Sequence, residues 1–128
     1  MKLLLDTHTL LWALFEPKRL SPYARGAVTD RGNRVLVSSA SAWEIATKFR
    51  LGKLPAAEVL VQDIAGWVHR AGFEELAVTI AHAERAGSWP QPHRDPFDRV
   101  LAAQSVIESA PIVGRDEALR IFGTTLVW

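Results

Sequence analysis

The chain contains no cysteine, and that absence removes a disulfide framework, a thiolate metal site and a cysteine nucleophile at one stroke. Long apolar runs are also missing. None approaches the roughly 18 residues that a membrane span requires, and the leucines after Lys2 are too few for a signal peptide. A strong charge imbalance is absent as well: 15 Lys and Arg against 14 Asp and Glu leave a formal charge of +1. Such a balance does not announce a polyanion binder, so any nucleic-acid partner must meet a local patch. The chain therefore reads as a cytoplasmic protein with no membrane partner. Hydrophobic content of 48% with 23% charged residues is ordinary for a globular protein and argues against disorder. With no repeat, linker or low-complexity segment, residues 1–128 read as one domain, large enough to bury about two thirds of its unfolded surface.

What is present begins with Lys2-Leu3-Leu4-Leu5-Asp6, three leucines between charges, the pattern of a short strand buried on both faces. Further strands are predicted at Arg34 to Val37, Leu76 to Val78, Ile112-Val113 and Thr124 to Val127. Helices are predicted between them: 7–16, from Ser21-Pro22 towards Gly32, 41–51, 57–71, 79–86, from Asp95 to Pro111, and from Asp116 to Phe122. Strand–helix alternation over the whole length implies an α/β fold, with a mainly parallel sheet of about five strands and helices on both faces.

Four acids fall where ligands bind in such sheets, beyond the carboxyl ends of strands. Asp6 follows the first strand, Glu44 lies in the first turns of the helix after the second, Asp98 opens the Asp95 helix, and Asp116 follows the fourth strand. Each has a local explanation. Asp6 and Asp116 can cap helices, Ser41-Ala42-Trp43-Glu44 matches a capping box, and Asp95-Pro96 is an N-cap followed by a first-turn proline. Together they demand more. Parallel strands lie about 4.8 Å apart, so such acids can come within roughly 5 Å. At an effective dielectric near 20 each pair then repels by about 3 kcal/mol, while a good cap returns about 1. A bound cation or a raised pKa must relieve such a cluster, and an oxygen-only ligand set suits Mg²⁺ or Mn²⁺. That apparatus is suited to hydrolysing a phosphodiester.

Four blocks resemble a known family: Asp6-Thr7-His8-Thr9-Leu10-Leu11-Trp12; Ser38-Ser39-Ala40-Ser41-Ala42-Trp43-Glu44-Ile45-Ala46 with Lys48; Leu51-Gly52-Lys53-Leu54; and His93-Arg94-Asp95-Pro96-Phe97-Asp98-Arg99 with Leu101-Ala102-Ala103-Gln104. In this order they are similar to the VapC-type toxins of bacterial toxin–antitoxin pairs, which are PIN-domain ribonucleases. The resemblance covers essentially the whole chain. It implies a Rossmann-like PIN fold, a Mg²⁺- or Mn²⁺-dependent endoribonuclease acting on RNA, a homodimer, and a small VapB-like antitoxin that masks the acidic site. The family's catalytic and metal-holding acids fall on Asp6, Glu44 and Asp98, with Asp116 as the fourth. One departure stands out: where the family often has threonine or serine two residues before the fourth acid, this chain has Gly114.

Among the basic residues, Lys48, Arg94, Arg99 and Arg115 are candidates for substrate or partner contact, since phosphates are gripped by such groups. Glu44 and Lys48 also have the spacing of an ordinary helix pair. His8 and His93 flank the acids without metal-ligand spacing between them, and His69 and His82 read as helix-surface residues. Trp12, Trp43 and Trp67 fall on apolar helix faces and are expected in the core or a partner groove. Rival readings are a catalytically silent binding module whose acids are all caps, and a Mg²⁺-dependent phosphotransfer or phosphatase domain. A receiver domain would need a lysine after the last strand, and a haloacid dehalogenase-like phosphatase an aspartate where His8 stands.

Overall fold

The computed structural model describes residues 1–128. Its first half runs β1 (Lys2–Leu5), α1 (Thr7–Phe15), α2 (Pro22–Thr29), β2 (Arg34–Ser38), α3 (Ser39–Arg50) and α4 (Ile64–Arg70). The second half runs β3 (Glu74–Leu76), α5 (Ile80–Ser88), α6 (Pro96–Glu108), β4 (Ile112–Val113) and β5 (Leu126–Val127). All strands are parallel, in the order β3-β2-β1-β4-β5. The α/β architecture expected from the strand–helix alternation is therefore present.

Alternation along the strands sorts side chains into two cores. Leu3, Leu5, Val35, Val37 and Val113 face one side, where Leu10 of α1, Ala24 and Val28 of α2, Ile45 of α3 and Val68 of α4 cover them. Leu4, Leu36 and Ile112 face the other, against Leu101 of α6 and Leu119. Burial on both faces is why β1 can be three leucines in a row.

The order of the strands determines where ligands can reach. The chain winds outward from β1 through β2 to β3, then returns across the sheet to place β4 on the other side of β1. A crevice opens where the winding reverses, beyond the carboxyl ends of β1 and β4. Leu5 pairs with Val113 there, and the Asp6 amide donates to the Val113 carbonyl at 3.1 Å.

Several elements differ from expectation, each for a local reason. The predicted 57–71 helix is broken: 3-10 turns occupy Pro55–Ala57 and Leu60–Gln62, and only Ile64–Arg70 is α-helical. Asp63 interrupts the apolar pattern by leaving helical geometry and accepting from the Gly66 amide at 3.0 Å, which starts a new helix. The third strand is Glu74–Leu76 rather than Leu76–Val78, because an edge strand needs no apolar outer face; Glu74 pairs with Arg34 of β2. The final helix is 3-10 over Glu117–Phe122. α3 starts earlier than expected, with Ser38 capping Ala40, so the Ser41–Glu44 capping box does not form. His82 is not on the surface but 2% exposed. Its Nδ1 accepts from the Thr79 amide, and Nε2 lies 3.1 Å from Glu108, tying α5 to α6.

Gly114 follows β4 in the crevice. A Cβ at that position would lie 2.9 Å from the Cβ of Asp6 and 3.1 Å from its Oδ2. The position has no hydroxyl because the Asp6 side chain occupies the space. Gly114→Ala is expected to cost about 1–3 kcal/mol in urea unfolding, as overpacking of a tight site does, with an unchanged m-value.

Candidate active site

An open pocket of about 370 Å³ sits at the crevice, with Asp6, Glu44, Asp95, Asp98 and Asp116 among its walls. Lys48, Arg115, His8, Thr9 and Trp12 complete the lining. The four acids singled out from the sequence thus converge from four parts of the chain.

Asp6 is delivered by the end of β1. It occupies the N-cap position of α1, yet its carboxylate makes no capping hydrogen bond. Burial pushes its pKa up, and Glu44 and Asp116 add to the rise while His8 opposes it. Asp98, one turn into α6, is pushed up to about 7, first by burial and then by Asp95, Asp6, Glu44 and Asp116. Neither carboxylate has a lysine or arginine partner. Asp95 does what its sequence context suggested, capping α6 by accepting from the Phe97 and Asp98 amides at 2.9 and 3.3 Å. Asp116 caps the 3-10 segment through the Ala118 amide and still borders the pocket.

Glu44 is held differently. It is 3% exposed, with the Thr7 hydroxyl donating to Oε1 at 2.6 Å. The Thr7 oxygen lies 2.9 Å from the Ser41 hydroxyl, which is then the donor in that pair. Oε2 pairs with the Lys48 ammonium, and this contact raises the lysine pKa. Ser41, Glu44 and Lys48 are spaced i, i+3 and i+7 and share one face of α3. Thr7 and Ser41 were not identified from the sequence; that shared face is the signal that could have exposed Ser41.

His93 also joins the site. Its Nδ1 accepts from the Asp95 amide at 3.3 Å, so the proton of the neutral ring sits on Nε2, 3.4 Å from Asp98 Oδ2. A ring nitrogen of His93 and carboxylate oxygens of Asp98 and Asp116 lie within 4.8 Å of one another. With Nε2 protonated, His93 orients Asp98 rather than ligating a cation.

The other candidate cations are less available. Arg99 spends four N–H donors on backbone carbonyls, those of Ala86, Gln91, His93 and Trp89, at 2.6–2.8 Å. It thereby fastens the Pro-rich loop carrying His93, and it stacks over Phe122, against which Trp89 also lies. Arg94 is exposed and stands outside the pocket lining. Trp43 is not a core residue: it is 64% exposed and meets Phe97 edge to face.

Divalent-cation chemistry fits these residues. Oxygen donors dominate, two of the carboxylates are part-buried without a basic partner, and the Thr9 hydroxyl in the same wall is buried with no hydrogen-bond partner. Hard cations such as Mg²⁺ and Mn²⁺ satisfy such groups.

Comparison with known proteins agrees with the geometry. The PIN domain family model matches residues 3–123. Ribonuclease VapC16 of Mycobacterium tuberculosis (strain ATCC 25618 / H37Rv) is 45% identical over 58 residues, which is 45% of this chain and 41% of that protein. The aligned stretch is thus less than half the length of either.

Two outcomes are expected. An acid whose folded pKa is raised binds its proton more tightly in the folded state, so stability falls as pH rises between the unfolded value near 3.8 and about 7. In chelator, the melting temperature should therefore decline from about pH 4 to pH 7 and level off above, and Asp98→Asn should flatten that decline and melt higher at the alkaline end. Identical pH profiles for the two proteins would contradict the burial of Asp98. Separately, Arg99→Lys cannot bridge four carbonyls, so amide exchange in residues 88–94 should accelerate roughly tenfold or more relative to the strands.

Proposed function

Since the chain belongs to the PIN-domain family, we propose that it is a metal-dependent endoribonuclease and the toxin of a toxin–antitoxin pair. The observation that carries this reading is the gathering of Asp6, Glu44, Asp98 and Asp116 around one open pocket, two of them with raised pKa values and no basic partner. The partial match to a protein named as a ribonuclease supports the choice of RNA as substrate.

In this reading Asp6, Asp98 and Asp116, with Glu44, hold Mg²⁺ or Mn²⁺. A divalent ion bound there supplies charge that polarises the phosphate and makes water acidic enough to attack near neutral pH. The chain's own groups set the geometry. Thr7, Ser41 and Lys48 fix Glu44 in one orientation, and Asp95 commits its carboxylate to helix amides. His93 steers Asp98 through its Nε2. A small antitoxin that covers this pocket would silence the activity, and a homodimer is the assembly expected of the family.

The test is inducible expression of wild type and Asp6→Asn in a bacterial host without the antitoxin, with growth followed and new RNA 5′ ends mapped. Arrest and discrete new ends are expected in wild type, and a loss of roughly 100-fold or more in cleavage for Asp6→Asn. Identical growth and end maps from two folded, soluble proteins would overturn the ribonuclease assignment.

A further inference from the structure

An acid-lined pocket repels an RNA strand unless some cation on its rim is free to meet the phosphates. Lys48 is taken by Glu44, Arg99 by loop carbonyls, and Arg94 stands outside the lining. Arg115 remains. It lines the pocket, is exposed, and makes no hydrogen bond or ion pair, although Asp116 is its neighbour in the chain.

Two indoles account for that independence. The guanidinium carbon of Arg115 lies 5.3 Å from the ring centroid of Trp12 and 5.5 Å from that of Trp128. The indoles meet each other edge to face, with centroids 5.9 Å apart at 62°. Attraction to ring faces holds a cation while using none of its N–H donors, so all of them stay available. Without the rings, a flexible arginine among carboxylates would fold onto one of them and be neutralised, as Lys48 is by Glu44.

We propose that Arg115, clamped by Trp12 and Trp128, is the phosphate-binding group of this pocket, donating to the non-bridging oxygens of an RNA phosphate beside the carboxylates. Trp12 and Trp128 are positioning residues that act through Arg115. The planar guanidinium suits two oxygens of one phosphate at once, which an ammonium does not. This inference rests on the ribonuclease reading and adds the group that grips the substrate.

The test measures binding of a short mixed-sequence single-stranded RNA to the full chain in Mg²⁺, in an Asp6→Asn background that leaves the RNA intact. Arg115→Ala should weaken binding about tenfold or more and reduce the slope of log affinity against log salt by about 0.7, the value for one single-strand phosphate. Arg115→Lys should recover part of the salt slope but not the full affinity. Trp128→Ala should weaken binding on its own yet add nothing to Arg115→Ala, which a purely structural role for the indole would not produce. Parental affinity and salt slope in a folded Arg115→Ala protein would overturn the proposal while leaving the ribonuclease reading intact. A parent that fails to bind RNA, together with a wild type that yields no new RNA ends, would overturn both.

Discussion

Like charges held close together without a lysine or arginine partner constrain everything else at this site. Asp6 and Asp98 are drawn into the crevice by the backbone, one by the end of a buried strand and the other by the first turn of a helix. Their mutual repulsion and partial burial oppose folding. The rest of the molecule must absorb that opposition, and it does so through the two-sided core on Leu3, Leu4 and Leu5. A scaffold this apolar around β1 is what allows a strained acidic edge to persist.

The remaining polar groups of the site are organised so that the strain is not dissipated. Glu44 is neutralised by Lys48 and bonded by the Thr7 hydroxyl, itself held by Ser41, so its charge is contained within one helix face and its neighbour Thr7. Asp95 is committed to the amides of α6. Arg99 faces away from the acids into the loop behind them, and Arg115 is kept among indoles. Lys48, Arg99 and Arg115 are each occupied elsewhere, so Asp6 and Asp98 have only His8 and His93 beside them and no lysine or arginine partner.

The fold was legible because strand burial writes itself into composition: Leu3-Leu4-Leu5, Val35-Leu36-Val37 and Ile112-Val113 are continuous apolar runs bounded by breaks. The acids were legible because each follows such a run or opens a helix. Three kinds of feature were not. Asp63 ended a helix that the apolar spacing carried straight through, since periodicity does not register a cap inside the pattern. His82 read as surface because its burial depends on Glu108 and Gln104, far away in sequence. Gly114 looked like a lost hydroxyl, whereas its reason is the space Asp6 fills across the β1–β4 pairing. All three are tertiary facts, and a single sequence carries no pairwise distances.

The margins of the sheet have a consequence for how copies of the chain can meet. One margin is β3, short and charged, where Glu74 and Arg34 form a bidentate pair; the other is the two-residue β5. Neither offers a long unpaired ladder onto which a further strand could be laid. Self-association that prolongs the sheet from one molecule into the next is therefore disfavoured at both ends. Any contact between two copies would have to use surfaces other than the strand edges, leaving each sheet closed off inside its own subunit.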